Sequence, residues 1–421
     1  WSISVRVLVV DAARICRSRA RVPASVDCDR KRSVWGFAAR QLNGCMERFT
    51  TVRCGCLNSP GMVVANRTGE FCRCFRGGLA LLRNARRVIL PRLLHTLSTH
   101  FSSQKRRRCA GPHGLCAANL PTARMIRLGI VDFDSSHAVE FTKRLNHVGV
   151  DRDQYVHGAR VVSGSPGTST MSPDRIAPHT RQLQDMGVTI VDQPGEMLGE
   201  IDGVLILSLC GDAHLPQVRP FLAAGVPAYV DKPFACSLAD AQEMVRLAQE
   251  SGVPIFSASA MRYAEELLQF QRRADDYGPV LGGLSYGPAY RMEGNPGLFH
   301  YGIHPTELLC TVMGRGCTEV THVGTPTADV VTGRWDGDRV GTLRGIVRGA
   351  TRYGALAFCE RAVVPIDISS RFAYRNLCRE IVQMFESGTA ALVPETMLET
   401  VAFLEATLRS ENSGGAAAPL N

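Results

Sequence analysis

The chain has 421 residues, of which 45% are hydrophobic and 21% are charged. This length and composition predict a folded protein of two or three domains. No run of about 18 apolar residues is present, which excludes a membrane-spanning helix as a predicted element. The net charge of +9 averages two unlike parts, because residues 1–124 hold 23 basic and 5 acidic residues and residues 125–421 hold 25 basic and 34 acidic residues.

Residues 1–124 show little periodicity and contain nine of the 15 cysteines. The basic run at 104–108 could bind nucleic acid or an acidic surface, although such runs are usually only solvated. Two Cys-x-Cys pairs, at 54/56 and 72/74, could bind a metal, but their spacing departs from that of zinc knuckles. The excess of arginine and serine also suits a targeting segment. We favour a fourth interpretation, in which the protein begins at Met125 and residues 1–124 are a leader with no fold.

From Met125 onward, strands and helices alternate. Strands are predicted at 126–131, 159–163, 188–191, 203–208, 228–230 and 254–257. Helices are predicted at 137–147, 179–186, 195–200, 215–224 and 238–250, with a loop at 164–178. Continuous apolar strands joined by helices indicate a parallel sheet that is covered on both faces. We therefore predict an α/β fold that opens with a Rossmann-type, doubly wound domain over residues 125–259.

The pattern changes after Ser259. Helices are predicted at 263–273, from about 305 to 313, at 372–385 and at 395–408. Strands are predicted at 280–286, 317–323, 328–335, 340–348 and 355–359. This spacing predicts an α+β domain over 260–410 with an open, mostly antiparallel sheet, followed by a flexible tail at 411–421. The scattered cysteines of this part suggest reduced thiols, and hence a cytoplasmic protein.

The turn after the first strand is where a dinucleotide would bind. A G-x-G-x-x-G loop would let the backbone approach the pyrophosphate, but Asp132, Asp134 and His137 occupy the three glycine positions. Two carboxylates would repel phosphates, whereas Ser135 and Ser136 could cap the helix and offer hydroxyls. A capped turn without a cofactor is the alternative. No acidic residue follows the second strand to bind a ribose, so the sequence does not distinguish NAD from NADP.

Two further strand ends carry polar residues. The loop from Ser208 to His214 follows the fourth strand, and its histidine either contacts a ligand or merely starts a helix. The strand 228–230 runs into Asp231-Lys232-Pro233. A lysine there lies at the carboxyl edge of the sheet, where open α/β folds bind ligands, and the alternative is a solvated corner.

A third candidate segment is Gly297–Glu307. His300 and His304 are four residues apart, and with Glu307 they would form a metal site on one helix face. Pro305 suits the first turn of a helix, so we expect both histidines to precede that helix. Acid–base chemistry is our preferred interpretation, and a buried structural pair is the alternative.

Together these motifs resemble the Gfo/Idh/MocA oxidoreductases, which include glucose–fructose oxidoreductase and inositol dehydrogenase. The resemblance covers essentially all of residues 125–410. It rests on the strand-turn-helix opening, on Leu209–His214, on Ala224-Gly225-Val226-Pro227 leading to Asp231-Lys232-Pro233, and on Gly-x-His-x-x-Glu at 302–307. The family usually has Glu-Lys-Pro where this chain has Asp-Lys-Pro.

The resemblance implies an NAD- or NADP-dependent enzyme that moves a hydride to or from the CH–OH group of a sugar, polyol or related carbohydrate. Lys232 would lie beside the nicotinamide and the substrate hydroxyl, and His304 would be the acid–base residue. His300 stands where many members have an aspartate. We expect Lys232 and His304 to face each other across the cleft.

The remaining site predictions follow the same motifs. The predicted cofactor-binding residues are Phe133, Asp134, Ser135, Ser136, His137, Ser208, Cys210, His214, Asp231, Lys232 and Pro233. The predicted substrate-binding residues are Arg262, Tyr301 and Glu307. The resemblance also implies a homo-oligomer formed through the C-terminal sheet, and we expect neither a membrane nor a nucleic acid as a partner. The alternative function is a cofactor-free binding or regulatory protein, which Asp132, Asp134 and His300 favour.

Overall fold

The computed structural model describes residues 124–420, together with the backbone of three short strands nearer the N-terminus. Those strands, Thr50–Thr51, Val63–Ala65 and Phe71–Arg73, form a small antiparallel sheet within the first of two compact units, Trp1–Cys116. The predictions of a nucleic-acid, metal, targeting or leader role for residues 1–124 fall almost entirely outside the described residues. The second unit, Ala117–Asn421, holds everything described below.

The first sheet of the second unit has six strands. They are β1 (Ile126–Val131), β2 (Ala159–Ser165), β3 (Thr189–Ile190), β4 (Gly203–Ile206), β5 (Ala228–Val230) and β6 (Ile255–Phe256). Their order is β3-β2-β1-β4-β5-β6, and every neighbouring pair is parallel. This is the Rossmann order, with a topological switch point between β1 and β4, where the strand order reverses. The predicted doubly wound parallel sheet is confirmed.

Four helices cover this sheet: α1 (Ser136–Leu145), α2 (Pro173–Asp185), α3 (His214–Ala223) and α4 (Leu238–Ser251). We predicted that α2 begins at residue 179, but it begins six residues earlier, at Pro173. Pro173 occupies the first turn, where its missing N–H costs no hydrogen bond. The predicted loop at 164–178 is therefore shorter, and the first turn of α2 lies beside the sheet edge. The predicted helix at 195–200 is a 3-10 turn, Pro194–Met197.

The second sheet has seven strands. They are β7 (Val280–Pro288), β8 (Cys317–Thr325), β9 (Ala328–Trp335), β10 (Arg339–Ile346), β11 (Gly354–Cys359), β12 (Val363–Asp367) and β13 (Ala418–Pro419). Their order is β12-β11-β7-β10-β9-β8-β13, and only β7 and β10 pair in parallel. The prediction of a mostly antiparallel second sheet is confirmed, although β12 and β13 were not predicted.

Five helices accompany the second sheet: α5 (Glu265–Arg272), α6 (Ala274–Tyr277), α7 (Ile303–Met313), α8 (Ala373–Ser387) and α9 (Pro394–Asn412). A 3-10 turn, Ala260–Tyr263, precedes α5. Because α7 begins at Ile303, His304 lies in its first turn, and the prediction that both histidines precede the helix holds only for His300. Helix α8 packs against α1, and buried side chains of both sheets belong to one continuous apolar core.

The flexible tail predicted for residues 411–421 is wrong for residues 411–420. Helix α9 continues to Asn412, and the chain then returns to pair β13 with β8, with Ala418 opposite Val320. The Leu420 N–H donates to the Thr318 carbonyl at 2.9 Å, and Ala418 is buried. The small, glycine-rich sequence gave no periodicity from which this pairing could be predicted.

Across the described residues, no helix is both long enough and apolar enough to cross a membrane.

Candidate active site

A cavity of about 280 Å³ lies at the carboxyl edge of the first sheet, where it meets α7 and α8. Its walls come from both halves of the second unit. The lining residues are Ser135, Ser136, His137, Ser172, Arg175, Leu209, Lys232, Ala260, Met261, Met292, His300, Tyr301, His304, Tyr353, Ser370 and Tyr374. The cavity is thus built from strand ends and helix starts, which are rigid positions on which to hold side chains.

Lys232 stands two residues after β5 and lines the cavity. Only 7% of its surface is exposed, and its backbone N–H donates to Asp231 Oδ1 at 2.8 Å. Within the described part of the chain its ammonium group has neither a hydrogen-bond nor an ion-pair partner. Lys143 is the only other lysine after residue 124, and it forms an ion pair with Glu140 on the helix surface. Lys232 therefore presents a free charge to whatever occupies the cavity.

Asp231 lies behind Lys232 and is fully buried. Its Oδ2 lies 2.7 Å from His137 Nδ1 and 3.5 Å from the hydroxyl of Ser135. Burial alone would raise the pKa of Asp231, but the charges of His137 and Lys232 outweigh burial and hold this pKa at about 2. The His137 ring stacks on Phe141, with ring centroids 4.9 Å apart. The carboxylate thus fixes the start of α1 against the strand that carries Lys232.

His304, in the first turn of α7, is half-buried, and its Nδ1 lies 2.7 Å from the hydroxyl of Ser259. Its pKa lies well below the usual value, because burial disfavours the imidazolium and because Lys232 and His137 repel it. The ring is therefore neutral at pH 7. In the tautomer whose Nδ1–H donates to the Ser259 hydroxyl, Nε2 of the neutral ring is free to accept a proton.

His300 lies just before α7 and is 8% exposed. Burial, followed by repulsion from Lys232 and Arg175, lowers its pKa to about 4. Its Nδ1 is buried and has no hydrogen-bond partner within the described residues. Because buried polar atoms are nearly always satisfied, this nitrogen is a candidate for contact with a ligand or a water molecule.

The turn between β1 and α1 holds two buried carboxylates at the switch point. Asp132, with a φ of 72°, accepts a hydrogen bond from the Ser208 hydroxyl at 2.7 Å. Asp134 accepts hydrogen bonds from the Leu209 N–H, at 2.9 Å, and from the Ser169 hydroxyl. Burial, together with the charge of Asp132, raises the pKa of Asp134 to about 6. Both carboxylates are thus satisfied by groups of the chain itself.

This turn does not fit a dinucleotide as a glycine-rich loop would. The N–H groups of the turn are engaged: that of Phe133 donates to the Pro166 carbonyl at 3.1 Å, and that of Asp134 donates to Asp132 Oδ1 at 3.3 Å. A Cβ atom at Gly167 would stand 2.7 Å from the carboxyl carbon of Asp132, so the loop after β2 closes over this carboxyl group. The switch-point side of the turn, which a pyrophosphate would also contact, is therefore filled. The remaining cavity lies near the lower end of the usual ligand-pocket range, about 300–1,000 Å³, and suits one small molecule.

Several predicted cofactor-binding residues lie away from the cavity. Phe133 is buried against Gly164, and Ser208 is bound to Asp132. The two ring nitrogens of His214 lie 3.1 Å from the Phe234 carbonyl and 2.9 Å from the Ser208 carbonyl, so this histidine holds two loops together. Cys210 and Pro233 are also outside the cavity lining. Of the predicted set, Ser135, Ser136, His137 and Lys232 reach the cavity.

Arg262 and Glu307, predicted to bind substrate, instead form a buried ion pair with each other. Arg262 Nε lies 2.5 Å from Glu307 Oε2, and neither residue lines the cavity. Glu307 also accepts a hydrogen bond from the Ser259 N–H at 3.4 Å. Because Ser259 in turn contacts His304, the pair positions the wall that holds this histidine. Tyr301, the third predicted substrate residue, does line the cavity.

The sequence interpretation missed about half of the cavity wall. Ser172 and Arg175 were assigned to a loop, although they lie at the start of α2. Tyr353 precedes β11 and Tyr374 lies in α8, far along the chain from every motif. An earlier start for α2, indicated by Ser172-Pro173, would have placed Arg175 at the sheet edge. No sequence signal marks the two tyrosines.

The fold and the cavity together define an α/β protein with a Rossmann-type sheet, an open second sheet and a polar cavity between them. Residues 154–259 match the family model described as the GFO_IDH_MocA oxidoreductase family, NAD-binding Rossmann fold. The match begins after the turn that holds Asp132 and Asp134. A search of curated proteins gives no match.

Solved structures with the same fold include three oxidoreductases. The myo-inositol dehydrogenase of Lactobacillus casei, in complex with NAD(H) and myo-inositol, has 14% identity and a TM-score of 0.59 over 71% of this chain and 97% of its own. A probable dehydrogenase from Thermotoga maritima has 17% identity and a TM-score of 0.57 over 70% and 99%. An oxidoreductase from Agrobacterium radiobacter, in complex with NAD⁺, L-tartaric acid and magnesium, has 16% identity and a TM-score of 0.57 over 70% and 99%. The family match and the shared fold confirm the resemblance to the Gfo/Idh/MocA oxidoreductases that the motifs predicted.

Proposed function

We propose that the cavity is the active site of an oxidoreductase that acts on the CH–OH group of a sugar, a polyol or a related carbohydrate. The observation that carries this proposal is the convergence of Lys232 and His304 on one cavity. The two residues come from different halves of the unit, one after β5 and the other in α7, and the resemblance assigns chemistry to both.

The chemistry of the two side chains suits an alcohol. When a carbinol carbon is oxidised, the hydroxyl proton must leave, and a base must lie within hydrogen-bond reach of it. The low pKa of His304 keeps its imidazole neutral and able to accept that proton. The ammonium group of Lys232 would stabilise the negative charge that develops on the oxygen. Hydroxyls of serine and tyrosine in the lining would bind the remaining hydroxyl groups of a polyol.

The ligands named for similar structures support a small hydroxylated substrate. The Lactobacillus casei enzyme is described with myo-inositol and the Agrobacterium radiobacter enzyme with L-tartaric acid. Both molecules are compact and carry several hydroxyl groups. A cavity of about 280 Å³ suits molecules of this size.

The resemblance implies NAD or NADP as the cofactor, and the matched family is an NAD-binding one. The turn at Asp132 and Asp134 does not accept a pyrophosphate as it stands. The same observation favours a second candidate function. In that case the protein keeps the fold and the cavity but binds its small ligand without a dinucleotide, as a binding or regulatory protein.

One experiment separates the two functions. The melting temperature of the full chain is measured with NADH, NADPH and myo-inositol, each alone and in pairs, and turnover is followed at 340 nm. Oxidoreductase function requires that one dinucleotide raises the melting temperature and that an alcohol substrate is turned over. A shift with a small ligand alone, with no effect of either dinucleotide at millimolar concentration, would leave the binding function.

We also propose that the open face of the second sheet mediates self-association, as the resemblance implies. Val340, Gly282, Phe358 and Val363 are direct cross-strand neighbours on β10, β7, β11 and β12. The valines and the phenylalanine are between 41% and 61% exposed, so an apolar row crosses four strands. Light scattering should show a multimer for the native chain and a smaller species for Phe358→Asp, whereas a native monomer would exclude this interface.

A further inference from the structure

The cavity wall is strongly asymmetric in charge. Two cationic side chains, Lys232 and Arg175, line it together with the histidines His137, His300 and His304, and no carboxylate does. The nearest acidic groups are engaged elsewhere: Asp231 binds His137, and Asp134 binds Leu209 and Ser169. The low pKa of His300 reflects the same field, because after burial it is the charges of Lys232 and Arg175 that lower it. A ligand in this cavity therefore meets positive charge.

Lys232 is the main source of this charge. Lysine is rarely more than nine-tenths buried unless an anion pairs with it, because removing an ammonium group from water is costly. Yet Lys232 is 93% buried, and although its charge acts on Asp231, no group of the described residues contacts its ammonium group. A carboxylate on the bound ligand would supply the missing partner.

The start of α1 adds to the same site. Ser135 and Ser136 line the cavity, and the ten-residue helix has no acidic residue in its first turn. Within the described residues, no acceptor engages the backbone N–H groups of these two serines. Helix N-termini bind anions through such free N–H groups and the helix dipole. The internal carboxylates Asp132 and Asp134 occupy the switch-point side of the turn, so the cavity side stays open to a ligand.

Arg175 completes the wall from α2. Arg175 is an exposed residue that lines the cavity. Its guanidinium forms no ion pair with any described side chain. A guanidinium binds a carboxylate through two parallel hydrogen bonds, which fixes the orientation of the ligand as well as its charge.

We propose that the ligand of this cavity is a small polyhydroxylated acid, whose carboxylate binds between Lys232, Arg175 and the N-terminus of α1. The proposal rests on the proposed function in that it names the substrate class of the same site. Its hydroxyl groups would face His300, His304 and the lining tyrosines. The acid group, rather than the pattern of hydroxyls, would then be the main determinant of selectivity.

The test compares ligands that differ only in the acid group. D-Gluconate is paired with D-glucitol, and L-tartrate is paired with L-threitol, in calorimetric titrations of the full chain. At least one acid is expected to bind at least tenfold more tightly than its neutral partner, and its affinity should fall as salt is raised. Equal or tighter binding of both neutral partners, or no binding of either acid, overturns the proposal. D-Glucitol 6-phosphate serves as a third probe, and a clear preference for it over both acids would also overturn the carboxylate assignment.

Variants locate the acid group. Arg175→Gln, at an exposed position that should not disturb folding, is expected to reduce the preference for the acid at least fivefold, and Lys232→Met should remove it. Lys143→Gln, at the other lysine of this part of the chain, should leave it unchanged. An unchanged preference in Arg175→Gln and in folded Lys232→Met would overturn the assignment. Failure of this inference is distinct from failure of the proposed function, because turnover of a neutral polyol without acid binding refutes only the inference, and acid binding without turnover refutes only the enzyme.

Discussion

Two buried aspartates at the same sheet edge, Asp134 after β1 and Asp231 after β5, show how differently one fold can use one residue type. Both are fully buried, and burial alone would raise the pKa of each. The charges of His137 and Lys232 bring the pKa of Asp231 down to about 2, whereas Asp132 pushes that of Asp134 further up, to about 6. The Lys232 corner is thus organised around the buried Asp231–His137 pair, and the first turn around hydrogen bonds of the chain to itself.

The different surroundings of Asp231 and Asp134 bear on where a ligand can bind. The edge near Lys232 keeps a free charge and an open cavity. The edge near Asp134 satisfies its own polar groups and leaves no room for a pyrophosphate on the switch-point side of the turn.

The first prediction concerns Lys232→Met, which keeps the length of the side chain and removes its charge. Turnover of any substrate of the cavity should fall roughly 100- to 1,000-fold, because the developing oxyanion loses its cation. Steady-state kinetics on the variant and on Lys143→Gln provide the measurement and its control. A loss of less than threefold in a folded Lys232→Met protein would show that the lysine has no role in the reaction.

The second prediction concerns Asp231→Asn, which removes the anion of the buried Asp231–His137 pair, and with it the charge that faces Lys232. Breaking such a pair costs about 3 kcal/mol, and urea unfolding should show a loss of that order. Asp185→Asn, at an exposed position at the end of α2, is the matched control and should change the free energy of unfolding by less than about 0.5 kcal/mol. Equal stability of the two variants would contradict the ion-pair account of this corner.

The third prediction concerns the pH dependence of stability. The folded-state pKa of Asp134 is raised, so the folded protein binds this proton more tightly than the unfolded chain does. Asp134 should therefore cost stability as pH rises from about 4 to about 6, by roughly 3 kcal/mol. Asp231, with a lowered pKa, stabilises the fold above about pH 4, and this stabilisation is lost only as pH falls toward 2.

The free energy of unfolding is measured for the native chain and for Asp134→Asn at pH 4, 5, 6 and 7, which checks the direction of this pH dependence. The native chain should gain stability relative to the variant as pH falls from 7 to 4. A difference that stays constant over this interval would mean that Asp134 has no raised pKa.

The fourth prediction concerns the double variant Asp132→Gly/Asp134→Gly, which restores glycine at two positions of the turn. Removing both carboxylates should open the pyrophosphate position. About 1 mM NADH should then raise the melting temperature by about 2 °C in the variant, and by less in the native chain. A native chain that binds NADH as tightly as the variant would show that the two carboxylates do not obstruct the cofactor.

Local pattern predicted most of the fold. The bounds of β1, Ile126–Val131, were predicted to the residue, because a continuous apolar run ends at a charged turn. The start of α2 was missed because serine, proline and glycine dominate its surroundings, although Pro173 itself is well suited to a first turn. Strand β13 was missed because its two residues form a strand only through pairing with β8.

The sequence motifs correctly placed Lys232 and His304 at the cavity. The catalytic roles of these two residues stay predictions. Arg262 and Glu307 were placed in the right neighbourhood, but the sequence could not show that they bind each other. Tyr353 and Tyr374 reach the cavity through tertiary packing alone, and no local pattern encodes such contacts. The sequence showed that Asp132 and Asp134 stand where a glycine-rich loop has glycines. It could not show that hydrogen bonds from residues 35 to 76 positions away, such as Ser169 and Ser208, satisfy these carboxylates.

The scarcity of lysine gives this protein a built-in chemical reporter. After residue 124 only two primary amines exist on side chains, Lys143 on the surface of α1 and Lys232 in the cavity wall. An acylating reagent followed by peptide mass mapping would therefore compare one accessible amine with one sheltered amine in the same molecule. Protection of Lys232 relative to Lys143 would measure cavity occupancy for any compound, with no need to know the reaction that follows.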